Sequence, residues 1–157
     1  MDTYKVVPLK GIGGIRLGMT REETRLIMSL PCTPFQKSFT SATLTDAYLK
    51  SCFQIFFDDE DKVEYIELSR RGAFRALYKG VSVFETKADE LVAVVLQNAA
   101  VDRADREYGN SYIFPNLELS LWRAVMPELQ DDPADLEGVY FDTIGVGKPG
   151  YYSAQLK

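Results

Sequence analysis

The chain has 157 residues, 46% of them hydrophobic and 26% charged, with a net charge of −5 and no histidine. This length and composition suit a single domain with a sizeable core and lie far from disorder. The negative balance disfavours nucleic acid and anionic membranes as partners and favours a cationic one, while the lack of histidine removes the usual proton shuttle and the common nitrogen ligand of metal sites. No metal or cofactor is therefore expected.

The N-terminal stretch MDTYKVVPLKGIGG has no basic segment followed by an apolar one, and no apolar run approaches the ~20 residues that span a bilayer. A cytoplasmic location is expected. Cys32 and Cys52 match no metal-site spacing and read as two free, mostly buried thiols.

A short strand is predicted over residues 4–7. The glycines of residues 10–14 lack the full dinucleotide-binding fingerprint and predict no phosphate site. Thr20 and Glu23 form a T-x-x-E capping box, which starts a helix over 21–30 with Leu26, Ile27 and Leu30 as its apolar stripe, stopped by Pro31 and Pro34. Residues 35–40 then predict a strand, and 47–57 a long one. In that long strand Leu49, Phe53, Ile55 and Phe57 share one face, while Tyr48, Cys52, Gln54 and Phe56 share the other. The acidic run 58–61 reads as a hairpin turn into a strand over 63–68, since the ligand pattern of a calcium loop is missing.

Residues 69–79 are locally basic and read as a solvated connection. A second helix starts at a Thr86 cap, with Asp89 three residues on, and carries Ala88, Leu91, Val92, Val95, Leu96 and Ala99 on a broad apolar face. This helix is expected to be the more deeply buried of the two. Strands over 108–114 and 117–125 follow, then an acidic loop over 127–138 and a closing strand over 139–146. The Gly/Pro turn GVGKPGYY lacks the spacing of a P-loop.

Residues 14–30 and 80–96 match loosely at a constant offset of 66 (80 − 14): Gly14 with Gly80, Leu17 with Val83, Thr20 with Thr86, Glu23 with Asp89 and Leu30 with Leu96. The same offset places Leu119, Leu121 and Trp122 on Phe53, Ile55 and Phe56. The expected architecture is α+β, a single domain of two tandem pseudo-repeats over about 4–69 and 76–152, with a shared antiparallel sheet and the helices on one face.

Strand residues pointing away from the helices would then face water or a partner. Alternation assigns to that face Tyr48, Gln54, Phe56, Tyr65 and Glu67 from the first unit, with Glu118, Ser120 and Trp122 from the second; Tyr112 and Phe141 are weaker members. Aromatic anchors among polar residues are what protein interfaces enrich. Asp131, Asp132 and Asp135 in the acidic loop would steer a basic partner from the rim. A covering loop or a homodimer would satisfy the same composition. The sequence offers no nucleophile with its base, so no catalytic residue is assigned; Glu67, Glu118 and Asp142 are the strand carboxylates that could be tested as an acid–base pair.

The string LGMTREE at residues 17–23, opening a helix followed by a strand meander, resembles the helix entry of the beta-lactamase inhibitor protein and of small outer-membrane assembly lipoproteins of the SmpA type. Small acidic α+β proteins without a catalytic set also resemble the immunity proteins that neutralise bacterial toxins. Those resemblances imply a non-catalytic, inhibitor-like or immunity-like module that occludes a basic protein through its sheet. A small-ligand-binding or self-associating domain is the alternative.

Overall fold

The computed structural model describes residues 1–127 and 136–156. Strand β1 (Asp2–Val7) pairs antiparallel with the short β2 (Gly11–Ile12), which in turn pairs with β3 (Ile15–Arg16). Helix α1 (Arg21–Met28) starts at the expected capping box, with Thr20 Oγ1 accepting from the Glu23 amide at 3.2 Å and a Glu23 carboxylate oxygen accepting from the Thr20 amide at 3.2 Å. It stops at Ser29, whose φ of 50° is left-handed, before either proline is reached.

Its expected apolar stripe is overturned. Leu26 is 80% exposed, Ile27 and Leu30 are also exposed, and Thr24 is the buried residue of the helix. Charge does the docking: Arg21 and Arg25 both reach Asp46, which is fully buried, at 2.9 Å. Arg21 also pairs with Asp61 at 2.7 Å, donates to the Leu44 carbonyl, and lies 4.0 Å over the Phe57 ring.

Four antiparallel strands follow: β4 (Thr33–Phe35), β5 (Thr45–Tyr48), β6 (Phe53–Phe57) and β7 (Val63–Ser69). The single long strand expected over 47–57 is thus two. Leu49, Lys50 and Ser51 all have left-handed φ (54°, 57° and 66°), and they fold the chain into a hairpin that sets Tyr48 opposite Phe53. Partners directly opposite share a face, so the alternation restarts at this turn.

Strand β8 (Phe74–Tyr78) pairs in parallel with β1 and antiparallel with β9 (Val81–Ser82). Helix α2 (Ala88–Leu96) has Lys87 rather than Thr86 at its cap, with no side-chain capping bond; the Ala88 amide donates instead to the Val139 carbonyl at 2.8 Å. It buries Ala88, Leu91 and Val95, and so sits deeper than α1. Strands β10 (Ser111–Phe114) and β11 (Leu119–Trp122) flank a 3-10 turn at Pro115–Leu117, and β12 (Thr143–Gly147) closes the order.

These strands make two sheets where one was expected. The smaller runs β3-β2-β1-β8-β9, and the larger, entirely antiparallel, runs β10-β11-β12-β7-β6-β5-β4. One buried cluster draws on both: Val6, Ile12 and Phe74 from the smaller, Phe53, Ile66, Leu121 and Val146 from the larger, with Leu91 and Val95 from α2. The Tyr4 ring meets Phe53 and Phe74 edge-on at 5.1 and 5.3 Å, joining the sheets. Strands β9, β10 and β11 begin 66 residues after β3, β5 and β6 (81 − 15, 111 − 45, 119 − 53), and α2 begins 67 after α1 (88 − 21). The β4 strand has no counterpart at that spacing. No helix among the described residues is long and apolar enough to cross a membrane.

Candidate functional site

The large sheet buries alternate residues, and the others form an outer face. Register places Ile113, Ser120, Gly145, Glu67 and Gln54 in one row across five strands. Ser111, Trp122, Thr143 and Ser69 make the row on one side of it, and Gly147, Tyr65 and Phe56 the row on the other.

Two glycines shape this face. A Cβ at Gly145 would overlap the Tyr65 phenol, and one at Gly147 would press into the Tyr151 ring. Their absence opens a slot in which Tyr65 lies flat and the C-terminal segment folds back over it. Tyr151 stacks on Tyr65 at 4.6 Å with an interplanar angle of 16°, and the Tyr152 hydroxyl donates to that of Tyr65 at 2.8 Å. Phe56 abuts Tyr65 edge-on from the other side at 5.4 Å.

Glu118 holds this strap in place. It is only 3% exposed, and its carboxylate accepts from the amides of Gly150 (3.1 Å), Tyr152 (2.6 Å) and Ser153 (3.3 Å) and from the Ser153 hydroxyl. Burial works against its ionisation. Bonds from the Ser153 hydroxyl and those three amides outweigh that effect and hold the carboxyl below its ordinary range.

Several expected surface residues therefore lie elsewhere. Tyr48, 1% exposed, faces the core because of the hairpin at 49–51, and its buried hydroxyl has only the Cys32 thiol as a weak polar neighbour among the described residues. Tyr65, 7% exposed, lies beneath the strap, and Glu118 is spent on the strap's amides. Tyr112 and Phe141 are buried and flank Arg123, a buried arginine whose guanidinium donates to the Gly109 and Gly138 carbonyls at 2.9 and 2.8 Å. Asp131, Asp132 and Asp135 lie outside the described residues. Gln54, Phe56, Glu67 and Ser120 do reach the outer face and are half-buried, and Trp122 is 37% exposed.

Tyr65, Glu67, Ser120 and Trp122 are brought together with Glu107 and Tyr152 around a groove of about 340 Å³. Burial pushes the Glu67 carboxyl above its ordinary range, opposed by attraction from Lys37. Neither the Glu67 nor the Glu107 carboxylate has a hydrogen bond or ion pair among the described residues. Lys37 places its ammonium 5.4 Å from the Phe56 ring centre and 3.3 Å from Gln54 Oε1.

Of the three carboxylates expected on strands, only Glu67 lies in one; Glu118, just before β11, is held by the strap, and Asp142, just before β12, is bound by Arg70 at 2.9 Å and by the Ala124 amide at 2.8 Å. Glu67 alone opens into the groove. No three acidic, cysteine or histidine side chains among the described residues converge in a way that would hold a metal. Sequence reasoning missed Glu107, which lies in a loop where alternation says nothing. It left a covering loop open without identifying the C-terminal segment as that cover, whose one signal was two adjacent tyrosines after a Gly/Pro turn. No family model, curated protein or solved structure matches the chain.

Proposed function

We propose that the chain is a non-catalytic protein-binding module that occludes a basic partner through the outer face of its large sheet, in an inhibitor-like or immunity-like manner. The observation that carries this reading is the groove itself: the one tryptophan of the chain stands half-exposed beside two carboxylates that have no hydrogen bond or ion pair among the described residues, with Lys37 attracting Glu67 only from a distance. A half-exposed indole suits an interface anchor, and carboxylates without a hydrogen-bonding partner in a partly desolvated groove select a cation. The net charge of −5 adds a long-range attraction for such a partner.

The common spacing of β3, α1, β5 and β6 with β9, α2, β10 and β11 supports reading the fold as two pseudo-repeats, in keeping with the resemblance to tandem helix-plus-sheet inhibitors. Two unpaired cysteines support a reducing, cytoplasmic setting.

The test is affinity capture from the source cell with wild-type protein and Trp122→Ala side by side. A stoichiometric basic protein retained by wild type and lost by the variant is the expected result. Equal retention by both baits would remove the outer face from the interface. Capture of nothing by either would favour a small-ligand or self-associating domain.

A further inference from the structure

The groove on the outer face has the chemistry of a receptacle for one particular side chain. Its floor carries the Glu67 carboxylate and its rim that of Glu107, each without a donor among the described residues. Its walls include the half-exposed Trp122 ring and Tyr152, and its remaining polar atoms include the Ser120 and Thr143 hydroxyls. A cavity of about 340 Å³ is too small for a folded element and ample for the end of one long side chain. On the same face Lys37 already shows how a cation behaves here, with its ammonium 5.4 Å from the Phe56 ring centre and bonded to Gln54 Oε1.

We propose that this groove receives an arginine side chain of a protein partner, its guanidinium against Trp122 and its N–H groups shared between Glu67 and Glu107. The assignment rests on the protein-binding reading above and deepens it. Guanidinium is favoured over ammonium on three counts. It is planar and stacks on aromatic faces; its five donors can serve two carboxylates and neighbouring hydroxyls together; and it is more weakly hydrated, so it enters a partly desolvated groove more readily.

Because Trp122 is the only tryptophan, its emission reports on the groove without labelling. The experiment titrates the full chain with three end-blocked tripeptides, Gly-Arg-Gly, Gly-Lys-Gly and Gly-citrulline-Gly, the last a neutral isostere of the first. The arginine peptide should change Trp122 emission saturably and bind about tenfold or more tighter than the citrulline peptide, as expected where a charged hydrogen-bonding pair is lost. Lysine should fall between them. Glu67→Gln, and separately the exposed rim variant Glu107→Gln, should each narrow the gap between arginine and citrulline.

Equal responses to arginine and citrulline, or no saturable response to arginine, would overturn the proposal, and lysine binding as well as arginine would overturn the guanidinium assignment. The two readings fail separately. A partner whose capture needs Trp122 while the peptides stay silent leaves the interface standing and removes the arginine. Peptide binding without any captured protein does the reverse.

Discussion

Replacing Gly145 with alanine tests whether the slot under Tyr65 holds the outer face together. The added methyl group would occupy space filled by the phenol, in the middle of a strand paired on both sides, so the backbone has little freedom to yield. Overpacking of this kind typically destabilises by about 1–3 kcal/mol. Driving the ring out also breaks the hydrogen bond to Tyr152, about 1 kcal/mol, and the stacking on Tyr151, again about 1 kcal/mol. Alanine recovers about 0.5–1 kcal/mol by restricting the unfolded chain. The net expectation is a loss of about 3 kcal/mol, or a midpoint of thermal unfolding about 6–12 °C lower for a chain of this size.

Urea unfolding followed by tryptophan emission, with calorimetry alongside, measures this directly. The same substitution in a Tyr65→Ala background should be nearly neutral, because the obstructing ring is gone. An equal loss in both backgrounds, or a loss below about 0.5 kcal/mol in the first, would refute the slot argument.

Asp46→Ala removes the buried acceptor shared by Arg21 and Arg25 and should destabilise by about 1–3 kcal/mol in urea titrations, the cost limited because Arg21 keeps Asp61 and Arg25 can turn to water. Glu118→Gln should speed hydrogen exchange at the Gly150, Tyr152 and Ser153 amides. Since the folded state lowers the Glu118 pKa, its contribution is full above the ordinary value of 4.5 and is lost as pH falls through the folded value, so the stability gap to the variant should close in that direction. Tyr48→Phe removes a buried hydroxyl whose one polar neighbour among the described residues is the weakly bonding Cys32 thiol, and should be neutral or stabilising by up to about 1 kcal/mol; a clear loss of urea stability would reveal a stronger bond to that oxygen. Trp122→Ala, with a third of its side chain in water, should leave the fold standing by far-UV dichroism.

Legibility followed the range of the interactions concerned. The Thr20–Glu23 cap and the alternation of β6, β7 and β11 depend on neighbours in sequence, and the alternation put Gln54, Phe56, Glu67, Ser120 and Trp122 on the outward side of the sheet, where they lie. The turn at Leu49, Lys50 and Ser51 adopts three left-handed conformations without glycine or asparagine, so nothing announced it, and Tyr48 was carried to the wrong side. Helix α1 misled because periodicity treats arginine as a solvent residue, whereas Arg21 and Arg25 are what attach it to the sheet. The parallel pairing of β1 with β8 joins residues more than 70 positions apart and leaves no local trace. The strap needed knowledge that Gly145 and Gly147 lie beneath two tyrosines, a relation that exists only after folding.

The pairing pattern also sets a timetable for the ribosome. The chain up to Ser69 meets the chain from Phe74 onward along two seams, β1 against β8 and β7 against β12. The first can close once residue 78 is free of the exit tunnel. The second must wait for Thr143, 74 residues after Ser69 (143 − 69), which at ~5–20 residues per second leaves the β7 edge open for roughly 4–15 s. An open edge is a template for a second nascent chain, so neighbouring ribosomes on one message would bring such edges together during that interval. Cutting between Ser69 and Phe74 should make the dependence visible: two fragments, each with bare edges, that recover the fold only when mixed.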